Sequence, residues 1–220
     1  MPIHIPSQTP GGPVVELQHP SRVVVIGANG SGKTRFGIWL DDTNRENVPV
    51  QRISAQKALS LPDYAQALNL EQAEKALYFG RHDEHGNVGR KNIDRWGSNP
   101  ATHLLSDYDK LLSLLFAREA DRDRKHTQET RANQGYVAVP DSTIDTIVKL
   151  WGYLMPHRSI SLHDGKVLVG KGTANEYHAK EMSDGERVTL YLIGQCLTAP
   201  AGSMIVCGWR SHLETEPPRV

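Results

Sequence analysis

The residues whose types and spacing could do chemistry are Gly27-Ala28-Asn29-Gly30-Ser31-Gly32-Lys33-Thr34, a complete match to G-x-x-x-x-G-K-[ST]. Gly27, Gly30 and Gly32 permit backbone angles and close approaches that a Cβ would block, so successive N–H groups can surround a phosphate. Lys33 would reach the β- and γ-phosphates of a nucleotide, and the Thr34 hydroxyl would ligate Mg²⁺. This chemistry needs a strand before the loop and a helix after it. Val23-Val24-Val25-Ile26 is an apolar β-branched run that reads as a buried strand. Thr34 to Leu40 carries apolar residues at helical spacing, and the start of that helix adds positive potential where the phosphate would sit.

A second constellation lies near the other end of the chain. Met182-Ser183-Asp184-Gly185-Glu186-Arg187 leads into the apolar run Val188 to Leu197. Ser183 is a good helix N-cap, and Glu186 three residues later completes a capping box. A capped start of this kind also presents a hydroxyl, the Gly185 amide and a positive dipole end, which suit a γ-phosphate.

The intervening elements must position these two clusters. Pro13 to Leu17 reads as a strand beside the one carrying the loop, and Val50 to Ala55 alternates as a strand, with Gln56 at its end. A helix is expected over Asp63 to Phe79, an irregular polar loop over Gly80 to Pro100, and a long helix from His103 to about Asn133. The first half of that long helix has a packing stripe of Leu104, Tyr108, Leu111, Leu112 and Leu115. Its second half is charged, with Glu119–Arg122 and Asp121–Lys125 at stabilising spacings. His82-Asp83-Glu84-His85 is read as solvated loop rather than a metal site, because four adjacent residues do not share a helix face. A helix follows Pro140-Asp141-Ser142, burying Ile144, Ile147, Val148, Trp151 and Leu154. Ser159 to Leu162 and Lys166 to Val169 flank Asp164-Gly165 as a hairpin.

Composition bounds the remaining possibilities. The 25 basic and 25 acidic residues balance, so no global field argues for nucleic acid, although a local basic face is compatible with this. Cys196 and Cys207 fall in segments read as helix and strand, suggesting reduced core thiols. Met1 to Gly12 lacks the apolar segment of a secretion signal, and no run approaches a membrane span, so a cytoplasmic protein without a membrane partner is expected. The domain reading is a flexible residue 1–12 segment, a main domain over 13–207 with a helical insertion at about 63–155, and an irregular tail over 208–220.

The Met-Ser-Asp-Gly-Glu-Arg segment resembles the signature of ABC-type ATPases, usually Leu-Ser-Gly-Gly-Gln, in the variant familiar among chromosome-maintenance and bacterial defence ATPases. The loop wording Gly-x-Asn-Gly-Ser-Gly-Lys, with Asn29 and Ser31, is similar to that superfamily's, and Gln56 falls where its Q-loop lies. The resemblance implies an α/β P-loop NTPase fold with an ABC-type head, of the group that includes overcoming-lysogenization-defect nucleases. It implies ATP and Mg²⁺ as ligands, with Gln56 touching the metal and sensing the γ-phosphate. Ser183, Asp184, Gly185 and Glu186 would act in trans, so that nucleotide pairs two heads into a homodimer; an effector protein or DNA is a further partner class.

The family's next feature is an apolar strand ending in Asp-Glu, whose carboxylates support Mg²⁺ and polarise the attacking water. Ser203 to Cys207 supplies the strand, but Gly208-Trp209-Arg210 follows it. The expectation is therefore an N-terminal portion of a longer ATPase, with its last strands missing through truncation or a frame change. ATP binding with slow or absent hydrolysis follows from that. Two other readings stand beside it: a small-molecule or nucleotide kinase with Arg118, Arg122 and Arg124 in a lid, and a non-hydrolysing ATP-dependent clamp or sensor.

Overall fold

A computed structural model describes residues 3–7, 9, 11–17, 22–28, 30–44, 48–54, 59–133, 136–170 and 176–208. Asn29, Gln56 and the tail beyond Gly208 lie outside the described residues. The fold is mixed α/β, with small sheets. It divides into two compact units, Met1–Gln56 with Pro200–Val220 and Lys57–Ala199.

In the first unit, β1 (Ile3–Ile5) pairs antiparallel with β2 (Val15–Leu17), so the segment expected to be flexible contributes a strand. The partner of Val15–Leu17 is therefore β1, not the run before the loop. Helix α1 (Lys33–Asn44) packs against β3 (Val50–Ile53), which pairs in parallel with β7 (Met204–Cys207). All four β3 residues are buried, as befits a parallel strand covered by a helix. An ideal Cβ on Gly37 would stand 3.3 Å from Val206 Cγ1, so the glycine lets α1 approach β7 closely. Asn44 closes α1 by donating to the Leu40 carbonyl at 3.0 Å and accepting from the His4 N–H at 3.3 Å.

Val23–Ile26 is not a strand. These residues have no ladder partner among the described residues, and their exposures run from 48% at Val25 to 89% at Ile26. β-branched composition favours a pleated, half-buried surface, but only a neighbouring edge can supply the hydrogen bonds. Here β3 pairs with β7, and the run stays outside that two-stranded ladder. Cys207 and Cys196 are both exposed, which corrects the expectation of core thiols. Each belongs to the predicted element but sits on its outward side.

The second unit is a helical core beside a three-stranded sheet. Helix α2 (Leu70–Phe79) starts seven residues later than the spacing suggested, because Asn69 and Gln72 form a capping box there. It ends at Gly80, whose φ of 90° is left-handed. The stretch expected as loop contains α3 (Lys91–Trp96), with Trp96 fully buried. Helix α4 (Tyr108–Asn133) buries Tyr108, Leu111, Leu112, Leu114 and Leu115, whereas Leu104 precedes the helix and is exposed. Helix α5 (Thr143–Leu154) is capped by Ser142 and buries Ile144, Ile147 and Trp151. Val148 and Leu154 face outward, so its apolar stripe is narrower than predicted.

The hairpin β4 (Ser159–His163) and β5 (Lys166–Gly170) turns through Asp164 and Gly165, at φ 51° and 74°, the left-handed pair that an Asp-Gly turn requires. Strand β6 (Glu176–His178) adds to β5, and α6 (Asp184–Thr198) follows. Helices α4 and α6 meet where Gly194 faces Leu111; a Cβ on Gly194 would lie 2.8 Å from Leu111 Cδ2. Beneath them Arg95 and Asp107 form a buried ion pair at 2.9 Å. Tyr191 and Gln195 also donate to Asp107, at 2.7 and 3.2 Å, so both carboxylate oxygens are occupied.

Candidate functional site

The loop preceding α1 has the backbone that its glycines allow. Gly30 and Gly32 adopt φ of 83° and 88°, angles that cost L side chains about 1–2 kcal/mol. A Cβ on Gly27 would meet Ser31 Oγ at 2.6 Å, so the loop closes tightly at its first glycine. The Ser31 N–H donates to the Ala28 carbonyl at 3.1 Å and the Phe36 N–H to that of Gly32 at 2.9 Å, joining the turn to the helix. Lys33 folds back over this turn: its Nζ donates to the carbonyls of Gly27 and Ala28 at 2.6 and 2.8 Å. The ammonium is thereby held at the loop, beside the first turn of α1. Thr34 is exposed on that turn. Loop curvature, lysine and helix start thus converge on one exposed point. Gly27, Ala28, Gly30, Ser31, Gly32, Lys33 and Thr34 are brought together.

The second constellation lies in the other unit. Ser183 caps α6, and Glu186 returns to it. Glu186 Oε2 accepts from the Ser183 N–H at 2.7 Å and from its hydroxyl at 2.8 Å. Sequence reasoning did not anticipate what happens at the other carboxylate oxygen. Glu186 Oε1 accepts from Arg158 Nε at 3.0 Å and from the Tyr177 hydroxyl at 3.1 Å. Arg158 precedes β4 and Tyr177 is in β6, so only the sheet brings them to the helix start. Burial alone would raise the Glu186 pKa, but bonds from Ser183, Tyr177 and Arg158 outweigh it and hold the carboxyl below its ordinary value. Burial, and then the adjacent Glu186 charge, push the Tyr177 phenol up. Ser183, Asp184 and Gly185 remain exposed, and Glu186 is buried beneath them.

The arginines considered for a lid are held by neighbouring groups. Arg118 donates to the Tyr78 hydroxyl at 3.0 Å and to the Leu197 and Thr198 carbonyls at 3.3 and 3.1 Å. Arg122 pairs with Glu119 and bonds the Pro140 carbonyl at 3.0 Å, while Arg124 pairs with Asp121. Lys125 pairs with Asp121 at 2.8 Å. An open cleft of about 290 Å³ runs beside these residues, lined by Arg118, Arg122 and the Asp121–Lys125 pair among others. Strand β7 ends at Cys207 and is followed by Gly208, so no carboxylate stands there. No described helix is long and apolar enough to cross a membrane. Comparison with protein-family models, with curated proteins and with solved structures finds no match.

Proposed function

We propose that this chain binds Mg-ATP at residues 27–34 and uses the nucleotide to pair with a second copy in the manner of an ABC-type P-loop ATPase. The observation that carries the reading is the loop: left-handed Gly30 and Gly32, and the Lys33 ammonium held over the Gly27 and Ala28 carbonyls at the start of α1. A triphosphate tail would exchange those carbonyls for its own oxygens at little conformational cost, since the lysine is already at the loop. Thr34 would ligate Mg²⁺, and Gln56 and Asn29 complete the set implied by the resemblance. Ser183, with the Asp184 and Gly185 amides, would meet the γ-phosphate presented by the second copy, aided by the positive end of α6.

Phosphoryl transfer to water depends on positioning and on charge placed around the phosphate. With Gly208 after β7, the chain offers no carboxylate there to orient the metal or the water. Binding without fast turnover follows, and this favours a nucleotide-driven clamp or sensor as the second reading. A phage-defence or DNA-maintenance setting, with an effector or DNA as partner, belongs to the same proposal. The kinase reading loses support because Arg118 and Arg122 already serve the fold.

Titration calorimetry with Mg-ATP tests the proposal. Heat of binding that disappears in Lys33→Ala supports it. Wild-type chain that gives no heat, or a Lys33→Ala variant that binds equally well, overturns it.

A further inference from the structure

The first unit holds both halves of a strand pairing that the structure does not make. Val23–Ile26 is a run of four β-branched residues, all exposed, directly ahead of the glycine-rich loop. Strand β7 is also four residues long and pairs only with β3 among the described residues. The Met204 and Gly208 N–H groups donate toward β3, to the Pro49 and Ile53 carbonyls at 2.8 and 2.9 Å. By strand alternation the N–H groups of Ile205 and Cys207 point to the other edge, where no described segment pairs with them. We infer that Val23–Ile26 is a strap that docks in parallel on this edge of β7 when Lys33 releases the Gly27 and Ala28 carbonyls.

Helix α1 fixes the place. It connects the run to β3, and a Cβ on Gly37 would stand 3.3 Å from Val206 Cγ1 and 3.9 Å from Arg52 Cδ, so the helix lies over both β7 and β3. A crossover helix packs on the sheet face between the two parallel strands it joins. With α1 seated over β7 as well as β3, the strand that enters it belongs on the far side of β7. That side is the less covered one: Ile205 is 41% exposed, whereas all four residues of β3 are buried. Lys33 is the latch. Its Nζ holds the carbonyls of Gly27 and Ala28, the two residues directly after the run, and so draws the chain into the turn where an extended strand would present them to a ladder. An anion that takes the ammonium frees both carbonyls, and burial of four apolar side chains then favours the docked form. The trigger rests on the Mg-ATP reading above; the docking edge does not, since it follows from α1 and β7.

The test is hydrogen exchange of the full chain read by mass spectrometry, following peptides that cover residues 22–27 and 204–208, with Mg-ATP calorimetry in parallel. Mg-ATP is expected to slow exchange of both peptides at least about tenfold. Lys33→Ala, which removes the latch, should slow them about threefold or more without any nucleotide. Ile205→Pro deletes an N–H on the outward edge and leaves the bonds to β3 in place, so it should cut the protection of 22–27 to less than about twofold. A second readout does not depend on that proline. In a Cys196→Ser background, Ile26→Cys should form an intrachain disulfide with Cys207 under oxidised glutathione severalfold faster with Mg-ATP than without, because adjacent strands bring Cα atoms within disulfide reach. Heat of binding with no change in exchange or in disulfide rate overturns the strap and leaves the nucleotide reading standing. Protection of 22–27 that persists in Ile205→Pro overturns the β7 edge as the docking place. No heat with Mg-ATP, together with protection in Lys33→Ala, supports the strap and overturns the nucleotide reading; neither heat nor protection overturns both.

Discussion

The glycine-rich loop before α1 and the start of α6 are two helix N-termini with opposite construction. The loop is exposed; among the described residues its lysine bonds only to carbonyls of its own turn, and the apolar run ahead of it has no ladder partner. The α6 start is tied to β6 and to the turn before β4 through one carboxylate, above a core in which Leu190 and Tyr191 are fully buried. The first is a turn defined by local backbone geometry. The second is a helix start whose charge is set by residues far away in the chain. Mutations should therefore separate ligand binding from stability at the loop and couple them around α6.

The sharpest way to break this contrast is to attack the packed unit. Asp107→Ala leaves Arg95 buried without its carboxylate and removes acceptors from Tyr191 and Gln195, so a loss of about 3–5 kcal/mol is expected in denaturant unfolding. Gly194→Ala drives a methyl into Leu111 and should cost about 1–3 kcal/mol in the same assay. Lys33→Ala should abolish calorimetric Mg-ATP binding yet shift stability by less than about 0.5 kcal/mol, because the bonds that Lys33 makes are exposed. A comparable stability loss there would merge the two regions. Ser183→Ala removes the α6 cap and should cost about 1 kcal/mol.

The smallest effect is a pH dependence. The folded-state pKa of Glu186 lies below its ordinary value of 4.5, so its stabilisation is present above that pH and is lost as pH falls through the lower folded value. Melting curves of wild type and Glu186→Gln should differ at neutral pH and converge in acid. A gap that widens in acid would mean that the carboxylate is not held ionised by its partners.

What was legible in the residues was local. The glycine spacing of the loop, the capping box at Ser183 and Glu186, the Asp-Gly hairpin and the stripe of α4 all depend on neighbours within a few positions, and short-range sterics and hydrogen bonding decide them. The start of α2 and the existence of α3 were hidden because the cap at Asn69 and packing of Trp96 outweigh polar, glycine-rich composition. Val23–Ile26 has strand composition, yet pairing is a property of two segments, and the β3–β7 ladder forms without it. Arg158 and Tyr177 carry no sequence signal linking them to Glu186, since the sheet register alone brings β6 and the turn before β4 to the first turn of α6. The sequence by itself thus determined where the chain can turn and cap, because those choices are made within one or two turns of backbone. Only the tertiary structure decided which charges stand beside those points, because burial and long-range hydrogen bonds are settled by packing.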